Sequence, residues 1–350
     1  MTRHTPVPPS GGADNILIIK LGALGDIVLF LPQLARILEA HSGARVTLLT
    51  APEYAGLVAA FPRLQVVCFR RRGLREMLRL LVWLSRRSFD LVYDLQGSRR
   101  SRIMTLFTLA PRRVGRRAGV AYTHTPPPGE AALHAFDRFN AVLVAGGLGS
   151  AAPVFPLPWF AATATAVTAW LQENNLQGKR LVLLHAGSSR RWLSKRWGES
   201  AFRELATRLT ACGLTVVWTG ADADRDLNRR LSSVAGIDAT GRFDYPELVA
   251  LARHATFALA NDSGPMHLFS MAGLPVYAFF GPTDWRRSHA LGQESRVLSH
   301  PVSCSPCYLP VCPPQHGHAC LREITPAMVI ERLDADGLLN AATSEAGGVK

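Results

Sequence analysis

A carboxylate directly follows a glycine-containing turn near the start of this 350-residue sequence. The stretch reads KLGALGDIVLF, and its acidic residue is Asp26. A carboxylate at the start of a helix can cap that helix, or it can act as a general base that removes a proton from a hydroxyl group. The spacing Gly22-x-x-Gly25 lacks the dinucleotide fingerprint, and no Gly-Lys-Ser/Thr follows it. This turn is therefore not predicted to hold phosphate.

A second set of polar residues, in the second half of the chain, has the composition of a phosphate-binding site. Its first stretch begins at His185 and reads HAGSSRRWLSKRWG. The small residues let a ligand approach the backbone closely, and Ser188 and Ser189 add hydroxyl donors. Lys195 and Arg196 supply positive charge near the start of the next predicted helix, which favours an anion there.

The predicted start of another helix provides further donors. The stretch NDSGPMHL begins at Asn261, and either Asn261 or Asp262 is expected to cap a helix that starts around Gly264 and Pro265. The free N–H groups of the first turn are candidates for binding a phosphate, and they belong to Ser263, Gly264 and Met266. His267 follows them, and an interior histidine is the default interpretation of a single histidine.

Two further loops follow predicted strands in the second half. FFGPTD runs from a buried strand into a Gly-Pro turn and ends with Thr283 and Asp284. TGADADRD places Asp222 and Asp224 after another strand, where a carboxylate can hold the hydroxyl groups of a ribose. Because the carboxyl ends of parallel strands meet at one edge of a sheet, the four loops are predicted to form a nucleotide-diphosphate site.

Alternating strands and helices must position these residues, because short apolar runs alternate with amphipathic stretches along the chain. In the first half, strands are predicted at 16–20, 46–50, 65–69, 91–94 and near 113–115, and helices at 27–41, 53–60, 74–87, 98–108 and 134–146. In the second half, strands are predicted at 181–185, 215–219, 257–260 and 275–280, and helices at 161–174, 199–212, 223–235, 245–253, 264–273 and 326–335. This pattern predicts an α/β protein of two Rossmann-like halves with parallel sheets and a ligand cleft between them.

Composition indicates the domain boundaries, because the Gly- and Pro-rich stretch 146–160 is typical of a linker. The predicted divisions are a disordered tail at 1–14, a first Rossmann-like domain at 15–155, a second domain at 156–325, a C-terminal helix at 326–340 and a tail at 341–350. The first tail lacks the apolar region of a signal peptide, and no stretch is long and apolar enough to span a bilayer. A soluble protein, or one peripheral to a membrane, is expected.

The net charge of +13 and the pI of about 10.2 predict an anionic partner: nucleic acid, an acidic lipid surface or a phosphorylated substrate. Much of the excess charge lies in arginine clusters of the first half, which include Arg70, Arg71, Arg72, Arg99, Arg100 and Arg117. A solvated surface is the alternative interpretation of these clusters.

Five segments together carry a resemblance to a known family. In chain order they are ILIIKLGALGDIVLFLP, LVYDLQG, LLHAGSSRRWLSKRWG, NDSGPMHL and FFGPTD. The set resembles the heptosyltransferases of glycosyltransferase family nine. The resemblance implies the GT-B fold, with a C-terminal helix that returns to the first domain. It also implies inverting, metal-independent transfer of heptose from ADP-heptose to the inner core of lipopolysaccharide, on a Kdo or heptose acceptor.

The same resemblance implies roles for individual residues. Asp26 matches the general base of an acceptor-binding first domain, and Lys195 matches a lysine that contacts the donor phosphates. Asp262 with Ser263–Gly264 matches a donor-binding segment, and Asp224 falls near the position where the family usually places Glu on the donor ribose. The other donor-binding candidates are Ser188, Ser189, Met266, His267 and Thr283. The acceptor-binding candidates are Arg70, Arg71, Arg72, Arg99, Arg100 and Arg117, which face either the anionic acceptor or the cytoplasmic surface of the inner membrane.

Four of the six cysteines fall within CSPCYLPVCPPQHGHAC, at Cys304, Cys307, Cys312 and Cys320. The spacing C-x2-C-x4-C-x7-C has metal-ligand character, and a structural zinc is the most direct interpretation in a cytosolic chain. Reduced thiols in a proline-stiffened loop are the alternative, and the spacing matches no recognised iron–sulfur motif. Cys68 and Cys212 are interpreted as core residues.

The composition and the cysteines also fit other classes of protein. A basic, zinc-containing nucleic-acid-binding protein fits the charge and the cysteines, but no RNA- or DNA-binding module accompanies them. An NAD-dependent oxidoreductase is disfavoured because the glycine fingerprint is missing. Within the family, another ADP-sugar donor or a protein acceptor remains an alternative.

Overall fold

A computed structural model describes residues 14–70, 73–129, 133–155 and 161–339. The chain divides into two compact units. The first unit comprises Met1–Phe160 and Arg286–Gly292, and the second comprises Ala161–Trp285 and Gln293–Lys350. Apart from Asp14, the predicted tails at 1–14 and 341–350 lie outside the described residues, as do Arg71 and Arg72.

The first unit is built on a five-stranded parallel sheet whose strand order is β3-β2-β1-β4-β5. Its strands are β1 (Asn15–Ile19), β2 (Arg45–Thr50), β3 (Leu64–Cys68), β4 (Leu91–Asp94) and β5 (Arg112–Gly115). Its helices are α1 (Leu24–Ala40), α2 (Ala55–Val58), α3 (Leu74–Ser85), α4 (Arg99–Phe107) and α5 (Ala135–Ala145). All five strands therefore end at one edge of the sheet, with β1 in the centre.

Helices cover this sheet because its strands are apolar on both sides. Leu17 and Ile19 of β1 belong to a core cluster with residues of α3 and α4. Ile16 and Ile18 are also fully buried, and they point to the opposite side because side chains alternate along a strand. Helices α1 and α5 pack against each other. Two helical layers therefore hold the sheet and fix the loops at its carboxyl edge.

The second unit contains a six-stranded parallel sheet with the order β11-β10-β9-β6-β7-β8. Its strands are β6 (Leu181–His185), β7 (Thr215–Trp218), β8 (Ile237–Asp238), β9 (Ala255–Asn261), β10 (Val276–Phe280) and β11 (Val297–Ser299). Its helices are α6 (Ala161–Glu173), α7 (Glu199–Ala211), α8 (Arg225–Ser232), α9 (Tyr245–Ala252), α10 (Gly264–Met271), α11 (Ala319–Arg322) and α12 (Pro326–Ala335).

Aromatic residues form the centre of the second core. The Trp197 ring stacks on Phe279 with ring centres 4.2 Å apart, and Phe202 meets Trp197 edge-on at 5.1 Å.

Helix α12 packs against α7 of the same unit. Its apolar residues Val329 and Leu333 join the second core. The return of a C-terminal helix to the first domain stays a prediction. The segment that returns to the first unit is Arg286–Gly292.

The predicted fold class is confirmed, because two parallel sheets of alternating strands and helices form as expected. Strands β8 and β11 were not predicted from the sequence. They have only two and three residues, which is too short for a detectable apolar pattern. Pro32 lies inside α1 and does not divide it. Among the described residues, none of the helices combines the length and hydropathy that crossing a bilayer requires.

Candidate active site

Asp26 lies in the first turn of α1, just beyond the carboxyl end of the central strand β1. The capping interpretation is wrong, because the N-cap of this helix is Ala23 and no side chain caps it. The carboxylate instead pairs with Lys20, whose Nζ lies 3.1 Å from Asp26 Oδ2. The Asp26 side chain is 42% exposed, so it faces solvent at the sheet edge while one oxygen is held from below.

Lys20 is a buried cation, with 1% of its side chain exposed. Its Nζ also donates to the carbonyl oxygen of Leu95 at 3.3 Å and lies 4.3 Å from the centre of the Phe139 ring. Burial lowers the pKa of Lys20, whereas the charges of Asp26 and Asp94 oppose that change. Asp26 Oδ1 accepts no hydrogen bond from the described part of the chain. The pair therefore presents one oriented, unshared carboxylate oxygen to solvent.

Asp94 is a second buried carboxylate at this edge, at the end of β4. It accepts hydrogen bonds from Tyr122 Oη at 2.5 Å and from the N–H groups of Gln96 and Gly97 at 3.0 and 2.9 Å. Burial raises the pKa of Asp94, although these hydrogen bonds oppose that change. Gln96 Oε1 accepts from the N–H of Leu21 at 2.8 Å. Asp94 thus holds the loop after β4 in shape and ties it to Tyr122, and Gln96 joins that loop to the loop after β1.

The described candidate arginines follow strands of the first sheet. Arg70 follows β3, Arg99 and Arg100 begin α4 beyond β4, and Arg117 follows β5. All four are exposed. Arg117 also lines a cavity of about 380 Å³. The sheet topology therefore brings these cations to the same edge as Asp26. Arg71 and Arg72 remain predictions outside the described residues.

Three predicted donor-site residues converge at the carboxyl edge of the second sheet. Lys195 Nζ lies 2.7 Å from Asp262 Oδ2, and Thr283 Oγ1 donates to the same oxygen at 2.6 Å. Both members of the ion pair are mostly buried, with 19% of the Lys195 side chain and 7% of the Asp262 side chain exposed. Lys195 Nζ also lies 5.2 Å from the centre of the Trp192 ring. A cation is thereby held in place beside the start of α10.

The start of α10 is free of side-chain caps. Its N-cap is Ser263, which makes no capping hydrogen bond, and its first turn contains Gly264 and the buried residues Met266 and His267. The expected capping by Asn261 or Asp262 is wrong, because Asp262 pairs with Lys195 and Asn261 binds neighbouring loops. The first-turn N–H groups of this helix are thus left to bind an anion from outside the helix.

Asn261 joins three segments at the carboxyl edge of the second sheet. Its side-chain amide donates to the carbonyl oxygens of Ala186 and Gly187 at 2.8 and 3.1 Å. Its Oδ1 accepts from the N–H of Trp197 at 3.0 Å. Sequence reasoning assigned Asn261 only a capping role, because these contacts join residues more than 60 positions apart.

Arg196 connects the remaining donor candidates. Its Nε donates to Ser188 Oγ at 3.2 Å, and its Nη2 lies 4.0 Å from Asp224 Oδ1. Asp224 is buried and packs so closely on Gly187 that a Cβ there would lie 2.4 Å from Asp224 Oδ1. Ser189 is exposed and begins a turn in which Trp192 N–H donates to its carbonyl oxygen at 2.8 Å.

The Cys-rich segment 304–320 packs behind the donor loops. Ser194 Oγ donates to the carbonyl oxygen of Leu309, and His318 Nε2 donates to the carbonyl oxygen of Ser194, both at 2.6 Å. On its other side, the N–H of Tyr308 donates to the carbonyl oxygen of Pro282 at 2.8 Å. The segment therefore supports the two turns that carry Lys195 and Thr283.

Three thiols of this segment lie near the thiol of Cys320. Burial raises the pKa of the Cys320 thiol to about 11, and the neighbouring thiols of Cys312, Cys304 and Cys307 act in the same direction. Among the described residues, no group of three or more His, Cys, Asp or Glu side chains is close enough to hold a metal ion. The interpretation of Cys68 and Cys212 as core residues is wrong, because both are exposed.

The chain is similar to proteins of one known family. The family model described as glycosyltransferase family 9 (heptosyltransferase) matches residues 77–318. Lipopolysaccharide heptosyltransferase 1 of Pseudomonas aeruginosa is 28% identical over 323 residues, which cover 85% of this chain and 87% of that protein. The match to the curated protein thus spans both units.

Solved structures share the fold over almost the whole chain. A glycosyltransferase family 9 protein from Veillonella parvula superimposes with a TM-score of 0.79 at 19% identity, covering 94% of this chain and 99% of that one. The ADP-heptose lipopolysaccharide heptosyltransferase II of E. coli gives a TM-score of 0.74 at 20% identity, covering 93% and 98%. At these identities the likeness is one of fold.

Proposed function

The chain belongs to glycosyltransferase family 9, the heptosyltransferase family, and on that premise we propose that it transfers heptose from ADP-heptose to the inner core of lipopolysaccharide. The second unit binds the donor in this proposal, and the first unit binds the acceptor. The observation that carries it is the grouping of Lys195, Asp262 and Thr283 beside the uncapped start of α10.

The donor edge is suited to a sugar nucleoside diphosphate. The Lys195 ammonium and the first-turn amides of α10 supply positive charge and N–H donors for the two phosphates. The Asp262 and Thr283 contacts fix the ammonium before the donor arrives, so little conformational entropy is lost on binding. Asp224 follows the neighbouring strand β7, and its carboxylate can accept a hydrogen bond from a ribose hydroxyl. Arg196 lies in the loop after β6, and its guanidinium group can pair with a phosphate.

The chemical step is a displacement at the anomeric carbon. The acceptor hydroxyl oxygen forms the new bond to that carbon, its proton passes to Asp26, and the bond to the ADP oxygen breaks with inversion. The leaving electron pair stays on the ADP phosphate, whose charge Lys195 and the α10 amides stabilise. These groups supply the positive charge that a divalent cation provides in other transferases, so we propose that catalysis is metal-independent.

The acceptor in this proposal is an anionic, lipid-linked inner-core sugar of the Kdo or heptose type. Arg70, Arg99, Arg100 and Arg117 support it, because they share the sheet edge of Asp26 and carry exposed guanidinium groups. Such an acceptor is held on a membrane surface. We therefore infer that the protein works at the cytoplasmic face of the inner membrane, as a peripheral protein.

The deciding experiment measures ADP release from ADP-heptose with and without a Kdo–lipid A acceptor, in the presence and absence of EDTA. Acceptor-dependent release that survives EDTA is expected. Lys195→Ala is expected to lower kcat/KM for the donor by about 10- to 100-fold, because one charged hydrogen bond is worth about 1.5–3 kcal/mol. Lys179→Ala, at an exposed position, is the matched control. Tight ADP binding without turnover would indicate another sugar or a protein acceptor, and the absence of both would exclude the proposal.

We further propose that Cys304, Cys307, Cys312 and Cys320 bind one structural zinc ion, which requires their loop to leave the arrangement described above. The C-x2-C-x4-C-x7-C spacing, in a segment that supports the Lys195 turn, favours this interpretation. Zinc would deprotonate the thiols and stabilise the loop by binding them as thiolates. The ion has no part in the transfer step.

The metal proposal is tested by the metal content of protein purified without chelators. One zinc per chain is expected in the wild type, with loss of zinc in Cys304→Ser/Cys307→Ser. That variant is expected to raise the donor KM more than it lowers kcat, because the loop supports the turns that carry Lys195 and Thr283. The matched control is Cys68→Ser/Cys212→Ser, at two exposed cysteines outside the segment. Zinc-free wild-type protein after growth in zinc would contradict the proposal.

A further inference from the structure

Helices α3 and α4 present apolar side chains to solvent on the first unit. Leu74 and Leu78 of α3 are 83% and 61% exposed, and Leu109, just beyond the end of α4, is 76% exposed. The other large apolar side chains exposed on these helices are Val82, Ile103, Leu106 and Phe107. Helices α3 and α4 pack against each other, and we call these seven exposed apolar residues the α3–α4 face.

This face is not the side of the helices that packs on the sheet. Leu80, Leu81, Leu84 and Met104 already fill that role in the core cluster of the first unit. A surface helix that has buried one apolar side usually carries polar residues on the other. Residues 74, 78 and 82 follow the i, i+4 spacing of a second apolar stripe on α3. An exposed apolar surface of this kind marks an interaction site.

Arginines accompany the apolar residues. Exposed arginines on or beside the α3–α4 face are Arg75, Arg79, Arg86, Arg99 and Arg100. Within the described residues, none of these five forms an ion pair. The acidic residue within α3 is Glu76, which is only partly exposed. Apolar side chains beside unpaired cations are complementary to an anionic lipid surface, which offers acyl chains below negatively charged headgroups.

The position of the α3–α4 face also supports a membrane as its binding partner. Helix α3 begins after β3 and α4 begins after β4, so both start at the sheet edge where Asp26 lies. An acceptor sugar attached to a lipid would reach that edge if its lipid lay in a membrane beneath the α3–α4 face. This step rests on the proposed function, whereas the exposed residues and their charges do not.

We propose that the α3–α4 face docks the protein on an anionic phospholipid membrane. The apolar residues enter the boundary between headgroups and acyl chains, and the arginines bind headgroup phosphates. Binding then has two separable parts: the apolar part resists salt, and the electrostatic part weakens as salt shortens the range of the charges. A neutral membrane recruits only the first part.

Vesicle flotation tests the proposal. The full-length wild type is mixed with phosphatidylcholine vesicles that contain or lack phosphatidylglycerol, at low and high NaCl. The variant Leu78→Glu/Phe107→Glu places two carboxylates on the face. Val234→Glu/Met328→Glu makes the same charge change at exposed apolar positions of the second unit. ADP binding checks that each variant is folded, and light scattering gives the oligomeric state.

The expected result is salt-sensitive binding of the wild type to phosphatidylglycerol vesicles. The face variant is expected to bind at least about tenfold more weakly, and the control variant is expected to bind as the wild type does. Equal binding of the face variant, or no binding of the wild type, would overturn the proposal. The proposal would also be overturned if the wild type were a dimer in solution and the face variant were a monomer. Turnover of a water-soluble acceptor fragment is read separately, so a failure of the proposed function is distinguishable from a failure of membrane docking.

Discussion

Replacement of Asp26 by asparagine is expected to lower kcat by about 10²- to 10⁴-fold and to leave ADP binding unchanged. The amide keeps the size of the side chain and can still accept from Lys20, but it cannot accept the acceptor proton. The proposed donor residues lie in the second unit, so the loss should appear in turnover with saturating ADP-heptose. Steady-state kinetics with separate titration of each substrate measures it.

A matched variant separates this effect from the loss of a helix-terminal charge. Asp137 occupies the third position of α5, as Asp26 does in α1, and its side chain is exposed. Asp137→Asn therefore removes a similar favourable interaction with a helix dipole, worth about 0.3–1 kcal/mol. It is expected to change stability slightly and kcat hardly at all. Similar kcat values for Asp26→Asn and Asp137→Asn would show that Asp26 is not the general base.

Replacement of Lys20 by methionine is expected to lower kcat by about 10- to 100-fold. Methionine retains much of the apolar stem but removes the ammonium group that holds Asp26 Oδ2 at 3.1 Å. A hydrogen bond to a charged group is worth about 1.5–3 kcal/mol, which corresponds to this range of rates. Lys20 contacts no substrate in this interpretation, since it is buried beneath Asp26. It acts by orienting the carboxylate.

The pH–rate profile distinguishes orientation from a general loss of structure. Burial lowers the pKa of Lys20, so wild-type activity should begin to fall on the alkaline side below the usual range of a lysine. Asp26 and Asp94 are the acidic groups near this ammonium, and Arg116 is the nearby cation. The Lys20→Met variant lacks this alkaline loss. In an Asp26→Asn background, Lys20→Met should cost little further rate, and a full additional loss would contradict the orienting role.

Much of the fold follows from local patterns in the sequence. Strand β1 was expected one residue later than it lies, and strands β4 and β6 have the predicted bounds. Runs of apolar β-branched residues between glycine-rich turns determine such elements. Strand β8 has two residues, and its pairing with β7 gives no periodic signal along the chain. The family that the five segments resemble is confirmed by the family model.

The sequence was enough to select the residues of the candidate site, but it did not reveal the contacts between them. Lys195, Asp262 and Thr283 were each selected from loops after strands, and the structure places them within hydrogen-bonding distance. The partner of Asp26 was missed, although Lys20 is only six residues away, because a lysine at the end of a strand usually lies in solvent. Asn261 was assigned to a cap because a single sequence gives no sign of the carbonyl groups that surround it in space.

The central position of β1 in an all-parallel sheet has a consequence for synthesis on the ribosome. Ile16 to Ile19 pair with β2 and with β4, and the second of these partners begins at Leu91. At about 5–20 residues per second, the ribosome needs several seconds to add those residues. During that interval one side of this apolar strand has no partner. Nascent chains from which β4 has not yet left the ribosome should therefore bind chaperones, and chains in which all five strands have left it should release them.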